Sequence, residues 1–137
     1  MLRLTPFLLF DGKCAEAMEF YHACFGGYLS LTPLSETPMK AQYPSDQHAK
    51  ITYALLKSDA VEFSATDWLH PTRRPLQGNT TAIYVQGETR AVLEPSFEIL
   101  RQGADPALLV ELREMPFGAY GRLTDRFGVE WFFRSEA

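Results

Sequence analysis

Three histidines, two cysteines and a handful of carboxylates are the side chains of this sequence whose types could do chemistry, and their spacing decides what chemistry that would be. His22, His48 and His70 are scattered, and no HxH, HExxH or CxxC spacing places two metal ligands on one helix face or turn. His22 neighbours Met18 and Tyr21 on a predicted helix, which is a half-exposed packing position, and His70 falls in a proline-rich linker. Glu62 interrupts a predicted strand on which Val61, Phe63 and Ala65 face one way and Glu62, Ser64 and Thr66 the other. If that polar face lines a cavity, burial raises the Glu62 pKa and the carboxyl can take a proton or a substrate donor; if it meets water, Glu62 is an ordinary surface residue. Glu130, beside Trp131 on the alternate face of the last strand, is the second weak acid-base candidate. The two are unpaired, so general acid-base chemistry has no further support. Cys14 and Cys24 lie at opposite ends of one predicted helix, about 15 Å apart along its axis, whereas a disulfide needs Cα atoms within roughly 7 Å. They are expected to be free thiols of a reducing compartment.

Aromatic residues offer a different kind of site. Trp68 opens a linker, and Phe117 and Tyr120 sit among glycine and proline before the final hairpin, where loops held by a rigid sheet concentrate binding residues. The competing reading is that they are core or dimer contacts, since aromatics are enriched at both. No glycine-rich phosphate loop or G-x-S-x-G elbow is present, and Gly26-Gly27 fits helix termination.

The elements that must position these residues follow from periodicity. Leu4 to Phe10 reads as a strand, and Cys14, Met18, Tyr21 and Phe25 recur at spacings of four, three and four as one apolar stripe of a helix. Tyr28 to Thr32 is a second strand, Leu34 to Gln47 a long loop broken by prolines, and Ala49 to Leu56 and Ala60 to Thr66 a hairpin. After a linker, the same order returns. Thr80 to Val85 is a strand, Gly87 a turn, and Thr89 to Gln102 a helix with Leu93, Phe97 and Leu100 on one face. Pro95 makes the portion from Pro95 to Gln102 the helix proper. Ala107 to Leu112 and the closing hairpin complete the second half. In that hairpin Asp125 can bond its own backbone across the turn and Gly128 can take the positive φ that closes it. Val129, Trp131 and Phe133 then face a core, while Glu130, Phe132 and Arg134 face the other way, where they could line a cavity.

Composition bounds the rest. A formal net charge of -4 without a basic stripe argues against nucleic acid. With 46% hydrophobic and 22% charged residues the chain is globular, and the apolar run Pro6 to Phe10 is too short for a signal segment or a membrane span. The expectation is a cytoplasmic protein with no membrane contact.

Two stretches carry a family resemblance. The hairpin Gly121-Arg122-Leu123-Thr124-Asp125-Arg126-Phe127-Gly128-Val129-Glu130-Trp131, and the opening from Thr5-Pro6-Phe7 through Glu19-Phe20-Tyr21 to Phe25-Gly26-Gly27, resemble the two ends of PhnB-like proteins. These form a branch of the vicinal oxygen chelate superfamily, with glyoxalase I and bleomycin-resistance proteins. The resemblance implies an α+β fold of two βαβββ modules forming a curved, half-open barrel with helices outside, a single glyoxalase-like domain with modules at 1–67 and 80–137 joined by a linker at 68–79, and a homodimer.

Metal-using members of the superfamily place a ligand on each of four strands. Carried onto this sequence, those positions fall at Pro6, Tyr53, Thr80 and near Phe132, none of which supplies an imidazole or carboxylate. His48, five residues from Tyr53, is an odd shift that would face the opposite way in a strand, so it belongs to a loop end. The expectation is no metal and no cofactor. By resemblance Trp68, Phe117 and Tyr120 lie at the mouth of a cavity, with Tyr53, Tyr84 and Phe132 inside. A metal-independent protein binding a planar or amphipathic small molecule is the reading this supports. A metal-dependent lyase, isomerase or dioxygenase, and a dimeric scaffold without a ligand, are the alternatives, and whether the protein is an enzyme stays open. PhnB-like proteins also carry a ubiquinone-pathway methyltransferase description, but no fold or glycine loop for S-adenosylmethionine is visible in the sequence.

Overall fold

A computed structural model describes residues 1–137. Strand β1 (Phe7–Phe10), helix α1 (Cys14–Phe25) and strands β2 (Tyr28–Pro33), β3 (Ile51–Lys57) and β4 (Glu62–Asp67) form the first module. Strand β5 (Ile83–Gly87), helix α2 (Arg90–Leu100) and strands β6 (Val110–Met115), β7 (Gly118–Thr124) and β8 (Glu130–Ser135) form the second. Each module builds its own four-stranded mixed sheet, in the orders β1-β4-β3-β2 and β5-β8-β7-β6. In both, the first strand pairs parallel with the last, and the remaining pairs are antiparallel. A parallel pair cannot be joined by a tight turn, and in each module the helix and two further strands lie between its members. Two compact units result, Met1–Leu76 and Gln77–Ala137.

In the first unit the apolar stripe of α1 does what its spacing predicts. Cys14, Ala17, Met18 and Tyr21 are fully buried, and Tyr21 meets the edge of Phe63 with ring centroids 5.7 Å apart. The sheet answers with Ile51, Ala54, Leu56, Phe63 and Ala65. Ile51 and Ala54 are three apart yet both buried, because a register shift opposite Thr32/Pro33 inserts one extra residue into β3. The parity argument applied to His48 therefore does not hold across this bulge. His48 is kept out of the sheet for another reason, since it ends a helical turn before β3 begins.

That turn is part of a correction. Leu34 to Gln47 is not an irregular loop but three short 3-10 turns, Leu34–Glu36, Pro38–Gln42 and Ser45–Gln47. Prolines at 33, 38 and 44 stand at or just before the first residue of each, where the missing N–H costs nothing and the fixed φ starts the turn. Fully buried Leu34, whose N–H donates to the Lys50 carbonyl at 2.8 Å, anchors the segment.

In the second unit α2 starts at Arg90, so Pro95 lies inside the helix rather than at its start. The hydrogen bond Pro95 cannot make leaves the carbonyl of Ala91 unpaired by it. Ala91, Glu94 and Pro95 are all exposed, so water can take that bond, while Leu93, Phe97 and Leu100 hold the opposite face in the core. Several ends also move. β1, β5 and β6 each begin three residues later than periodicity suggested, and Gly87 closes β5 instead of forming a turn. Trp131 and Phe133 are buried and Val129 half-buried, with Phe133 edge-on to Phe97 at 5.1 Å. Gly121 lets α2 approach this sheet, since a Cβ there would meet the Phe97 ring at 2.9 Å and Leu112 at 3.1 Å.

Candidate functional site: an aromatic groove on the second module

The turn after β7 fixes what the last strand presents. The Asp125 carboxylate accepts from the N–H groups of Phe127 and Val129 at 2.8 and 3.0 Å through one oxygen, and from the Trp131 indole N–H at 2.8 Å through the other. The backbone closes beside it, Gly128 N–H donating to Asp125 and Asp125 N–H to Val129, each at 2.9 Å, with Gly128 at φ 87°. Pinning Trp131 into the core pins the register, and a slip of one residue would exchange the two faces. Phe132 and Arg134 consequently stand on the face away from α2.

Register places their neighbours. Tyr84 of β5 pairs with Phe132, Arg122 of β7 pairs with Phe132 from the other side, and Tyr120 pairs with Arg134. A groove of about 330 Å³ is lined by Ala82, Tyr84, Phe117, Tyr120, Phe132 and Arg134. Tyr120 is edge-on to both Phe117 and Phe132, with centroids 6.3 Å apart in each case, the arrangement favoured by ring quadrupoles. Arg134 lies over the Phe117 ring at 4.2 Å and Arg122 over Phe132 at 5.5 Å, both within cation–π range. Gly118, at φ 132°, allows the turn carrying Phe117 to close against the end of β8, where a side chain would strike the Ser135 carbonyl.

Of the six aromatic candidates, Tyr84, Phe117, Tyr120 and Phe132 come together in this groove. Tyr120 does so from within β7 rather than from a loop. Tyr53 and Trp68 belong to the first module. Tyr53 is on β3, half exposed, its hydroxyl 3.1 Å from the Ser64 hydroxyl. Trp68 follows β4, its N–H bonded to the Phe10 carbonyl at 2.7 Å and its own carbonyl accepting from Lys50 at 3.3 Å. Ala82 and Arg134 were not singled out as binding residues. Arg134 was detectable, since alternation already put it on the face of Phe132.

The acid-base candidates behave differently from a buried general base. Glu62 is held by Arg3 and by Lys57 at 3.6 Å. The Arg3 hydrogen bond, and then the nearby positive charges, keep its carboxyl below the ordinary carboxylate value despite some desolvation, the reverse of the rise a cavity would cause. Glu130 accepts from the Thr124 hydroxyl at 3.0 Å. Cys14 is buried, and burial followed by the Asp67 charge pushes its thiol up to about 12, so it is no nucleophile.

The histidines are occupied as structural donors and acceptors. His22 Nε2 lies 3.0 Å from the Gly27 carbonyl, His48 Nε2 lies 2.8 and 3.0 Å from the Lys40 and Tyr43 carbonyls, and His70 Nδ1 accepts from the N–H groups of Thr72 and Arg73. No three His, Cys, Asp or Glu side chains converge. The metal that the superfamily implies does not fit these residues, because Pro6 and Phe132 offer no side-chain donor and the Tyr53 hydroxyl is engaged by Ser64. No helix is long and apolar enough to cross a membrane.

Comparison with known proteins agrees with this architecture. No curated protein matches the sequence. Among solved structures, protein PA1353 from Pseudomonas aeruginosa is 29% identical with a TM-score of 0.84, over 99% of this chain and 98% of that one. The PhnB protein from Bacillus cereus is 24% identical with a TM-score of 0.71, over 98% and 99%. A glyoxylase/bleomycin resistance protein/dioxygenase domain from Frankia sp. shares the fold at 10% identity, with a TM-score of 0.63 over 100% and 93%. The α+β arrangement of two βαβββ modules is thus the glyoxalase-like fold. A family model described as 3-demethylubiquinone-9 3-methyltransferase matches residues 2–133, nearly the whole chain, and the protein belongs to that PhnB-like family.

Proposed function

We propose that this protein binds a planar or amphipathic small molecule, without a metal, in the groove of its second module. The observation that carries the reading is the convergence of four aromatic rings from three strands and a turn on one concavity of about 330 Å³. That is the lower end of the size range of small-molecule sites, and it is lined mostly by rings with one charged group, the composition such sites favour. A groove of this size takes one ring-sized ligand. A methyltransferase, which the family description suggests, must hold an acceptor and a methyl donor together, so we favour binding over group transfer. The homodimer and the cytoplasmic location implied by the PhnB-like resemblance are part of the same proposal.

Two-dimensional NMR during titration with a panel of planar compounds tests it. Saturable shifts confined to residues around Tyr84, Phe117, Tyr120 and Phe132 are expected, and their loss in Tyr120→Ala. Shifts that do not saturate, or that centre elsewhere, would sink the reading. Melting of chelator-treated protein with nickel, zinc, cobalt or manganese is expected to be unchanged. An ion bound only by the native state would add about 2.7 kcal/mol at a hundredfold excess over its dissociation constant, which is readily seen.

A further inference from the structure

Arginine placement on the groove face separates one class of ligand from the rest. By register, Arg113 of β6 stands opposite Tyr120, Arg122 of β7 opposite Phe132, and Arg134 of β8 opposite Tyr120 on its other side. Three guanidinium groups thus share the sheet face that carries the aromatic groove. None of them has a carboxylate within salt-bridge distance. The other ion pairs of this module are all satisfied elsewhere, Arg90 with Glu94 and Glu114, and Arg101 with Glu111. Glu130, on the same face, is turned to the Thr124 hydroxyl. In a chain with 17 acidic against 13 basic residues, three unpaired arginines on one face are not a background effect.

Their geometry leaves the useful donors available. The Arg134 guanidinium carbon lies 4.2 Å over the centroid of Phe117 and that of Arg122 lies 5.5 Å over Phe132. Stacking occupies the face of a guanidinium, while its five N–H donors point outward in the plane of the fork. A stacked arginine is therefore oriented in advance for a bidentate bond to a carboxylate or phosphate, with part of its rotamer freedom already lost. The positive face also draws anions toward the groove before contact.

We propose that the groove selects an aromatic anion, a planar ring bearing a carboxylate or a phosphate, with the ring among Tyr84, Phe117, Tyr120 and Phe132 and the anionic group on the fork of Arg134, with Arg122 nearby. This deepens the small-molecule reading above and rests on it.

Calorimetric titration of the purified full-length chain tests the proposal with five probes: benzoate, phenyl phosphate, the neutral isostere benzamide, and acetate and inorganic phosphate as anions without a ring. At low salt, benzoate or phenyl phosphate is expected to bind at least about tenfold more tightly than benzamide, the equivalent of one charge-assisted hydrogen bond. Acetate and inorganic phosphate are expected not to saturate the site. Arg134→Gln, at an exposed position, is expected to remove the preference, so that the charged rings and benzamide bind the variant with the same affinity. Arg134→Lys, which keeps the charge and loses the planar fork, should recover only part of the difference. Benzamide binding as tightly as benzoate, or Arg134→Gln leaving the preference intact, would overturn anion selection while the aromatic-groove reading survives. Failure of every ring compound to saturate would remove both. Saturation by inorganic phosphate alone, unaffected by Tyr120→Ala, would also overturn the proposal, since the ring would then contribute nothing.

Discussion

Each module is tied together by one buried aspartate, and the two knots are made in opposite ways. Asp67, at the end of β4, accepts from Gly12 and Cys14 N–H at 2.8 and 3.0 Å through one oxygen and from Ile51 N–H at 2.9 Å through the other. It reaches 55, 53 and 16 residues along the chain, joining the turn after β1, the unpaired N–H groups that open α1, and the start of β3. Helix α1 has no capping side chain of its own, and Asp67 takes that role from a distant strand. Asp125 also satisfies three donors, but they lie only two, four and six residues ahead. In the second module the residue that matches Asp67 in register is Ser135, paired with Gly87 as Asp67 is with Phe10. Its hydroxyl instead receives the Ala119 N–H at 2.8 Å and donates to the Ala137 carbonyl. One module is held by a long-range carboxylate and the other by a local one.

Asp67→Ala is the change expected to separate the two knots most sharply. Three donors in three different segments lose their acceptor at once, at about 1–3 kcal/mol for each one left unsatisfied. A loss on the order of 4–6 kcal/mol in denaturant unfolding follows, with hydrogen exchange rising at both α1 and β3. A loss confined to α1 would mean that the Ile51 bond is replaced by water and that the knot is weaker than described.

Cys14 sharpens the same comparison through pH, because it lies against Asp67. Its thiol is raised to about 12 in the folded protein, and the unfolded chain ionises near 9. Below that value both states hold the proton and the stabilisation is complete. Between pH 9 and 12 only the unfolded state loses it, so stability falls as pH rises. The full difference corresponds to roughly 4 kcal/mol. Cys14→Ala is expected to flatten the alkaline limb of the stability profile. An unchanged slope would place the alkaline transition elsewhere, on tyrosines or lysines.

Asp125→Ala should cost less than Asp67→Ala, about 2–4 kcal/mol, since the half-buried turn N–H groups can turn to water and only the Trp131 indole is stranded in the core. Trp131→Phe isolates that last bond. Equal losses for the two aspartate variants would erase the distinction between local and long-range ties.

This contrast also explains what was legible in the sequence. The Asp125 turn, the facing of Trp131 and Phe133, and the placing of Phe132 and Arg134 opposite them all depend on residues within a few positions of one another. Period-two alternation and turn chemistry expose such relations directly. Asp67 read only as the last residue of the first module, because its partners are brought to it only by tertiary folding. The same holds for Pro95, where local propensity argued for a helix start and burial of Leu93, Phe97 and Leu100 overrode it. The prolines between Leu34 and Gln47 excluded an α-helix correctly, but a 3-10 turn asks only for i to i+3 bonds and accepts proline at its start. The groove was legible as a set of aromatic residues. Arg134 was visible as a face neighbour of Phe132, whereas Arg113 and Arg122 are brought to that face by strand register, which no spacing carries.

The smallest effect concerns the two glutamates that open β4 and β8, the two weak acid-base candidates of the sequence. Glu130 donates nothing to the ion-pair pattern and accepts from Thr124, whereas Glu62 is clasped by Arg3 and Lys57 at the surface. Because the folded-state pKa of Glu62 is lowered from 4.5, its contribution is present above that value and is lost as pH falls through the lower folded value. Exposed pairs of this kind are screened by salt. Glu62→Gln is therefore expected to shift the melting temperature slightly at low salt and neutral pH, by less as pH falls below 4.5, and not measurably at high salt. A shift that persisted in high salt would mean that Glu62 is shielded from solvent, and would return it to consideration as a functional acid.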